Sequence, residues 1–349
     1  MPMVFVVAAG TLALAVSTVW VGHTFHQFED INPVGDLTCQ PVHGVVGAYD
    51  IEPVPGRNIA YLSVYDERGD ALRGQILRFD FDNPLDNASW QDRTGGRPVL
   101  LTPAGISYHR HRLPSGELEE RLFVVNRDTQ EVMIFDIDAA GDLNLADRLS
   151  HPMMTSPNDI VATGPSSFYV SNDTAEGRGS LRGRAEFLFG LNTGSVLFFN
   201  GSSWSRVMGG LKFPNGMALG PDGDELHVAE MRAEAIRTLS RDAATGALEP
   251  SRRVQLRSFP NNLSVDREGR LLVGAVPQPF AYKAFTESLR DRAPSQVLRI
   301  NGMDTEVLFQ DAGKTLSAAS AAAQVGDLTI IGSAADEKFL ICAEARDGA

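Results

Sequence analysis

One short pattern, Pro-Asn followed by an apolar stretch, occurs three times in this chain. The three copies are SPNDIVATGP (156–165), FPNGMALGPDG (213–223) and FPNNLSVDREG (259–269). Asn and Asp favour turns and are depleted in strands, so a single copy would indicate an ordinary strand entry. Three copies, each followed by a turn and a further strand-like run, indicate an internal repeat, which constrains a fold more strongly than composition does.

The repeat extends over most of the chain. Six β-type runs follow a Gly, Pro or Asp turn at a spacing of about 45–60 residues: IAYLS (59–63), LFVV (122–125), SFYVS (167–171), LHVAE (226–230), LLVG (271–274) and LTIIG (328–332). Each is preceded by another short run, and further strands fill the intervals. Units of about four short strands are typical of propeller blades. The sequence therefore predicts an all-β, six-bladed β-propeller.

In a propeller, the starts of the innermost strands converge at one end of the central channel. The matching positions are Tyr49 with Asp50, Ala104 with Gly105 and Ile106, Asn158 with Asp159, Asn215 with Gly216, and Asn261 with Asn262. We therefore expect one polar axial site built from residues far apart in sequence. The alternative is that each Asn only turns the chain. An oxygen-rich set without Cys or His suits Ca²⁺ rather than zinc.

Charge and motifs narrow the function. The formal net charge of −13 over 349 residues argues against a nucleic-acid partner, which would favour a basic stripe. The sequence contains no HExxH, CxxC pair, P-loop or GxSxG motif. Zincin, nucleotide-binding and serine-hydrolase chemistry are therefore not indicated.

The N-terminus contains an apolar run from Met3 to about Val21, with no Lys or Arg before it. The run is about long enough to span a bilayer. We interpret residues 1–25 as a secretory signal or signal-anchor and residues 26–349 as one domain. This predicts a secreted protein or one associated with the membrane through its N-terminus; an N-terminal buried helix is the alternative. Sequons compatible with glycosylation on that route lie at Asn87, Asn172, Asn200 and Asn262.

The chain has two cysteines, Cys39 and Cys342, near its opposite ends. In an exported protein, a disulfide joining the two ends is the expected arrangement. It would contribute about 5–6 kcal/mol in the chain-entropy description. Two unrelated buried thiols are the alternative.

Several motifs resemble, in order, those of the serum paraoxonase/arylesterase family. They are GAYDIEPVPGRNIAYLS, AGISYHR, SPNDIVATGPSSFYVSND, FPNGMALGPDGDELHVAE, NNLSVDREGRLLVG and PSQVLRI. The resemblance runs from about Cys39 to Cys342 and implies a six-bladed propeller closed by a disulfide between them. It also implies hydrolysis of lactones and esters with two axial Ca²⁺ ions. The implied ligands are Asp50, the Ile106 carbonyl and Asp159 for a structural ion, and Asn158, Asn215 and Asn262 for a catalytic ion.

Four positions depart from the family pattern. Tyr49 stands where the family has a Glu ligand, and Asn261 where it has an Asp ligand. Ala104 and Arg127 replace two histidines assigned to water activation. Because Ca²⁺ affinity depends on ligand charge and hydrolysis needs a general base, these departures imply impaired hydrolysis. The ligands implied for the structural ion are all present, so that ion is expected to be retained.

Three functions are compatible with this pattern. The first is a non-hydrolytic enzyme of secondary metabolism that acts on a hydrophobic small molecule and catalyses dehydration, addition or ring formation (a cyclase). The related strictosidine synthase-like propellers are a precedent, because they join two substrates at the same axial site. Its catalytic residues would be Tyr49, Asn158, Asn215, Asn261, Asn262 and Arg127. The second is a Ca²⁺-dependent lactonase or arylesterase with His109 or His111 as a substitute base. The third is a non-catalytic binding propeller.

Two insertions are expected to shape the pocket. They are RGRAEFLFGLNTG (182–194) and PQPFAYKAFTESLRDR (277–292). The second is expected to form a short helix. The expected substrate pocket comprises Ala104, His109, Phe280, Tyr282 and Phe285, since aromatic lids suit an apolar substrate. Packing of these aromatics against the propeller face is the alternative.

Overall fold

The structure is a computed structural model that describes residues 19–68, 74–84, 90–94, 100–177 and 179–344. Its strands form six four-stranded antiparallel sheets. The innermost strand of each sheet packs against the innermost strands of the two neighbouring sheets, and the last sheet packs against the first. This closed ring confirms the six-bladed propeller, and every repeated run noted above lies in the first or second strand of a blade.

The strands follow one another blade by blade in chain order, and only β1 (Leu37–His43) joins a blade out of that order. Blade one contains β2 (Ala48–Pro53), β3 (Ile59–Val64), β4 (Gln75–Asp80) and β5 (Trp90–Asp92). Blade two contains β6 (Pro103–Arg112), β7 (Leu118–Asn126), β8 (Glu131–Ile137) and β9 (Leu143–Ser150). Blade three contains β10 (Pro157–Ala162), β11 (Phe168–Asn172), β12 (Gly194–Phe199) and β13 (Trp204–Leu211).

The other three blades repeat this arrangement. Blade four contains β14 (Pro214–Leu219), β15 (Glu225–Glu230), β16 (Ala235–Arg241) and β17 (Leu248–Gln255). Blade five contains β18 (Phe259–Val265), β19 (Leu271–Val276), β20 (Ser295–Asn301) and β21 (Asp304–Asp311). Blade six contains β22 (Ala319–Val325), β23 (Leu328–Ser333), β24 (Lys338–Glu344) and β1.

Blade six closes the ring because it combines the two ends of the chain. Strand β1 pairs with β24, and Cys39 lies opposite Cys342 in that register. The two cysteines form the expected disulfide. The bond therefore lies within blade six and joins its outermost strand to the neighbouring strand. The N-terminal strand supplies the outermost strand of the last blade, which is how a propeller avoids an open edge.

All six innermost strands contain a β-bulge at the same place. The register shifts by one residue near the start of each of these strands. The residue just before the bulge is proline in four blades: Pro103, Pro157, Pro214 and Pro260. Because proline cannot donate to the ladder, it is tolerated at a strand's first residue or at a bulge. The repeated Pro-Asn pattern therefore encodes an interrupted ladder followed by a bulged Asn.

The connections from second to third strands lie at the channel end where the innermost strands begin, which we call the site face. Helix α1 (Leu181–Phe189) follows β11, and α2 (Pro279–Thr286) follows β19, so both insertions lie on this face. The Ser180 hydroxyl caps α1 by accepting a hydrogen bond from the Gly183 N–H. A 3₁₀ turn, Met231–Ala233, follows β15.

The N-terminal segment also packs on the site face. Residues 19–24 are mostly helical, and Phe25 is fully buried, with its ring centroid 4.5 Å from that of Phe280. The Arg232 guanidinium lies 4.3 Å from the centroid of the Phe25 ring. Residues next to the predicted boundary after residue 25 thus pack on the site face. Among the described helices, none has the length and apolar character needed to cross a membrane.

Two of the four sequons lie in the interior. Asn172 and Asn262 are each 1% exposed, and the Asn172 amide donates to the Met153 carbonyl at 2.9 Å. The folded domain therefore does not offer these two as glycan acceptors. Asn200 is exposed in the turn before β13, and Asn87 lies outside the described residues.

Candidate functional site: two rings around the channel

The bulges place two successive residues from every blade around the channel. We call the first residues the upper ring; they are Tyr49, Ala104, Asn158, Asn215, Asn261 and Ser320. The second residues form the lower ring and are Asp50, Gly105, Asp159, Gly216, Asn262 and Ala321. The upper ring is nearer the site face because each innermost strand starts there.

The upper ring converges on the hydroxyl of Tyr49. This hydroxyl lies 3.5 Å from Oδ1 of Asn158 and 3.4 Å from Oδ1 of Asn261. All three side chains are buried, and they come from blades one, three and five. The structure therefore brings together three of the expected catalytic residues, although both hydrogen bonds are long.

A buried acid behind the upper ring holds one of these amides. Asp173 accepts a hydrogen bond from Nδ2 of Asn158 at 3.3 Å and another from the Ser156 hydroxyl. This leaves Oδ1 of Asn158 directed at Tyr49. Sequence analysis did not identify Asp173; its signal was the polar SND sequence at the end of the second strand of blade three.

One amide and one hydroxyl hold the backbone of the site, and two amides keep unpaired acceptors. Nδ2 of Asn262 and the hydroxyl of Ser320 both donate to the Tyr49 carbonyl, at 2.9 and 2.7 Å. Among the described residues, Oδ1 of Asn215 and Oδ1 of Asn262 are buried without a hydrogen-bond partner. Ser320 was missed because blade six has no Pro-Asn pair at its bulge.

A cation lies on the face of the Tyr49 ring. The Arg127 guanidinium is 4.8 Å from the ring centroid, and its Nη1 donates to Glu67 at 3.0 Å. Its Nε and Nη2 are buried and have no hydrogen-bond partner within the described chain. Arg127 thus places unused donors beside the upper ring. Glu67, which anchors it, was not identified from the sequence.

The lower ring carries two buried carboxylates that bridge neighbouring blades. Asp50 accepts from the main-chain N–H groups of Ile51 and Ile106, both at 2.9 Å. Asp159 accepts from Ile160 at 2.8 Å and from Met217 of blade four. Each carboxylate oxygen therefore has one donor and keeps a lone pair free.

Gly105 explains how the two carboxylates fit. A Cβ atom at this position would lie 1.8 Å from Oδ1 of Asp159 and 2.5 Å from its Cα. A Cβ atom at Gly216 would likewise lie 2.5 Å from the Asn261 carbonyl oxygen. Gly105 and Gly216 therefore lie so close to neighbouring blades that only a residue without a side chain fits there.

Burial raises the pKa of all three channel acids. It raises the pKa of Asp50 to about 6, against two backbone hydrogen bonds that lower it. It also raises the pKa of Asp159 well above its usual value, and the nearby Asp50 charge adds to this rise. Two residues beyond Asp50, burial raises the pKa of Glu52 to about 8 although the Tyr108 N–H donates to it. Buried like charges of this kind favour protonation or a bound cation.

The two rings differ in their fit to Ca²⁺. The lower ring offers the carboxylate oxygens of Asp50 and Asp159, which are hard ligands with two negative charges when ionised, so it fits a divalent cation. No three His, Cys, Asp or Glu side chains of the described residues converge as a metal-binding group. An ion would therefore also need main-chain, amide or water oxygens. The upper ring is uncharged, and the Arg127 cation lies beside it, so it does not fit a second cation.

The expected substitute bases lie at the other end of the channel strand. His109 pairs with Arg121 five residues beyond Ala104 on β6, and Arg121 donates to the Pro165 carbonyl in a turn of the opposite face. His111 pairs with Glu119, with Nε2 3.2 Å from its carboxylate. The structure therefore does not bring either histidine to the upper ring.

The expected aromatic lid is divided between two apolar clusters on the site face. Phe285 is buried in the cluster that includes Tyr49 and Ala104, and Tyr282 packs against this cluster. Phe280 instead packs with Phe25, under the N-terminal segment. Phe285 thus belongs to the same apolar cluster as Tyr49 and Ala104, whereas Phe280 belongs to the cluster under the N-terminal segment.

A groove of about 510 Å³ opens on the site face between blades two and three. Its lining includes Gln130, His151, Thr155 and Glu176, together with Met154, which also belongs to the cluster around Tyr49. Cavities of this size hold small organic ligands. The groove is therefore a cleft on the same face of the propeller as the upper ring.

Known proteins resemble this chain in sequence. The sequence profile of the arylesterase family matches residues 31–343. Serum paraoxonase/arylesterase 1 of Mus musculus is 27% identical over 326 residues, covering 87% of this chain and 88% of the relative. The Homo sapiens protein of the same name is 30% identical over 291 residues, covering 79% of each chain.

Solved structures of more distant proteins have the same fold. A gluconolactonase from Xanthomonas campestris has a TM-score of 0.55 at 14% identity, covering 90% of this chain and 91% of its own. Regucalcin from Agrobacterium tumefaciens, described as a calcium-binding protein, has a TM-score of 0.52 at 12% identity, covering 87% of this chain and 93% of its own. At these identities the likeness concerns the fold alone.

Proposed function

Because this chain belongs to the arylesterase family, we propose that it is an enzyme acting on an apolar small molecule at the upper ring, by non-hydrolytic chemistry. The reaction class is dehydration, addition or ring formation. One observation carries the proposal: the Tyr49 hydroxyl is the centre of the upper ring, and Arg127 lies on its aromatic face. No residue placed at this ring is a suitable general base for activating water.

The upper ring is equipped to polarise a carbonyl. Nε and Nη2 of Arg127 would donate to a substrate carbonyl or quinone-like oxygen, and the Tyr49 hydroxyl would supply a proton. The unpaired oxygens of Asn215 and Asn262 would accept a substrate hydroxyl or enol. The substrate class is therefore an apolar carbonyl compound with a nearby O–H group.

The apolar walls would orient such a substrate. Ala104 belongs to the ring and Phe285 packs in the same apolar cluster, and the groove that includes Met154 would offer room for a longer portion of the substrate. Holding reacting groups in one geometry accelerates ring formation and addition even without a nucleophile. The walls also limit the access of water to the reacting carbonyl.

The lower ring would hold a structural Ca²⁺. Asp50, Asp159 and the Ile106 carbonyl belong to blades one, three and two, so a shared ion would link these blades at the axis. When bound, the ion supplies positive charge that neutralises the two buried carboxylates. Regucalcin, a propeller of the same fold described as calcium-binding, supports this choice of cation.

Hydrolysis of lactones or aryl esters is the second candidate. The relatives are named arylesterases, and the unpaired amide oxygens of Asn215 and Asn262 are the ligand type that such an enzyme would need. The replacements at Tyr49, Ala104, Arg127 and Asn261 favour the first candidate.

Hydrolysis of phenyl acetate and δ-valerolactone by the full chain, with excess Ca²⁺, separates the candidates. We expect no hydrolysis above the background without enzyme. Fast hydrolysis that is lost in Asn215→Ala but kept in Asn144→Ala, a change at an exposed position of β9, would overturn the first candidate.

A positive test uses a panel of apolar hydroxyketones and quinones, and the masses of the products are measured by mass spectrometry. An unchanged mass marks ring formation and the loss of one water marks dehydration, whereas the gain of one water marks hydrolysis. Conversion should fall about a hundredfold in Tyr49→Phe, the scale of a lost general acid. Equal conversion by Tyr49→Phe and the wild type would remove Tyr49 from the mechanism.

The cellular setting is also proposed. The relatives are named as serum proteins, and the disulfide between Cys39 and Cys342 suits an oxidising compartment. We therefore expect an exported protein. Association with a membrane through the N-terminal segment remains a prediction, and the acidic net charge argues against a nucleic-acid partner.

A further inference from the structure

We propose that the upper ring is a latent second calcium site, in which the tethered hydroxyl of Tyr49 takes the place of the cation. Two substitutions, Tyr49→Glu and Asn261→Asp, would then open the site. The inference concerns cation binding and does not depend on which reaction the enzyme catalyses.

The first support is the position of the hydroxyl. It is directed at the amide oxygens of Asn158 and Asn261 rather than at solvent. The hydroxyl hydrogen thus lies near side-chain oxygens from two blades, in a position that a small cation would occupy. The two distances, 3.4 and 3.5 Å, are longer than those of good hydrogen bonds.

The second support is the presence of unused oxygens at the bulges of blades four and five. Asn215 and Asn262 contribute one buried, unpaired side-chain oxygen each. Buried polar atoms without partners are rare in native proteins and call for an explanation. With Asn158, the channel therefore has three amide oxygens suited to a hard cation.

The third support is charge. All upper-ring side chains are neutral, whereas Ca²⁺ affinity rises with the number of carboxylate ligands. Positive charge is already supplied by Arg127, whose guanidinium lies 4.8 Å from the Tyr49 ring and pairs with Glu67 at 3.0 Å. The ring thus lacks the negative charge that a second divalent cation requires, although it keeps neutral ligands.

The test is the Ca²⁺ stoichiometry of the full chain by titration calorimetry, comparing the wild type with Tyr49→Glu/Asn261→Asp. We expect the double variant to bind one more ion per chain. No additional ion would overturn the proposal. The matched control, Tyr65→Glu/Asn144→Asp, adds the same two charges outside the ring and should bind no additional ion; a gain there would show general charge attraction instead.

A second measurement remains decisive if the double variant does not fold. Wild-type Ca²⁺ binding should be lost in Asp159→Asn and kept in Asn215→Ala. Binding lost in Asn215→Ala, with Asp159→Asn still binding, would place the ion in the upper ring and overturn the proposal. Failure of the proposed enzyme function would appear only in turnover, so the two outcomes are distinguishable.

Discussion

The two rings of the channel are built from adjacent residues of the same bulges, yet they differ in chemistry. The lower ring has buried carboxylates at Asp50 and Asp159, bare backbone at Gly105, and main-chain donors from neighbouring blades. The upper ring has neutral amides around the hydroxyl of Tyr49. One bulge thus places a charged, tightly packed layer directly beneath a neutral layer with unpaired acceptors.

Two adjacent residues of each innermost strand thus have different roles. The lower-ring residue contributes to stability, and the upper-ring residue contributes to the proposed chemistry. In the lower ring, main-chain N–H groups satisfy the acids and join the blades, so a change there affects folding. In the upper ring, Asn215 keeps an unpaired oxygen and Arg127 keeps unpaired N–H groups. Unsatisfied polar groups of this kind are tolerated at functional sites.

The largest expected effect comes from filling the lower ring. In Gly105→Ala the new Cβ would meet Oδ1 of Asp159 at 1.8 Å and its Cα at 2.5 Å. Because one of these atoms is main chain, the neighbouring blade would have to move. We expect a loss of about 3 kcal/mol in the free energy of unfolding, measured by urea denaturation.

The matched control for this change is Gly179→Ala. A Cβ there would have no neighbour within 4 Å, so the free energy of unfolding should change by less than about 0.5 kcal/mol. If Gly105→Ala were as stable as Gly179→Ala, the lower ring would not be the tightly packed layer described above.

The second expected effect concerns pH and chelation. Burial raises the pKa of Asp50 from 3.8 to about 6, so between these values the folded chain binds more protons than the unfolded chain. The ion-free protein should therefore lose stability as the pH rises from about 4, by about 3 kcal/mol for Asp50 alone. Glu52, with a pKa of about 8, extends this loss to higher pH.

Thermal unfolding with chelator or with Ca²⁺, at pH 5 and pH 8, checks this prediction. A cation binds the ionised carboxylates, so stabilisation by Ca²⁺ should be larger at pH 8 than at pH 5. Asp50→Asn should flatten the pH dependence in chelator. A chelated wild type that is more stable at pH 8 than at pH 5 would contradict the burial of charged groups in the lower ring.

The fold was predictable because blade spacing and strand patterns are local. Runs such as IAYLS and LHVAE form second strands as expected, and the Pro-Asn pairs form bulges. The closing strand was not predictable in the same way. Its sequence, Leu37–His43, has no repeat counterpart, and only its pairing with β24 assigns it to blade six.

The site was predictable where the repeat was intact. Asn158 and Asn261 follow the pattern, and the structure brings both to Tyr49. Ser320 escaped notice because its blade replaces Pro-Asn with Ala-Ser. Glu67 and Asp173 lie outside the innermost strands, so only tertiary packing shows that they hold Arg127 and Asn158.

The smallest expected effect distinguishes a hydrogen bond that positions an upper-ring residue from a hydrogen bond that contributes only to packing. Ser320→Ala removes a 2.7 Å hydrogen bond to the Tyr49 carbonyl, whereas Ser264→Ala removes a 2.8 Å bond of the same kind to the Ala322 carbonyl. Both should lower the free energy of unfolding by about 1 kcal/mol. Conversion of substrate should fall only in Ser320→Ala, because only that bond positions Tyr49. Equal losses of conversion in both variants would mean that conversion depends on the stability of the protein alone and not on the position of Tyr49.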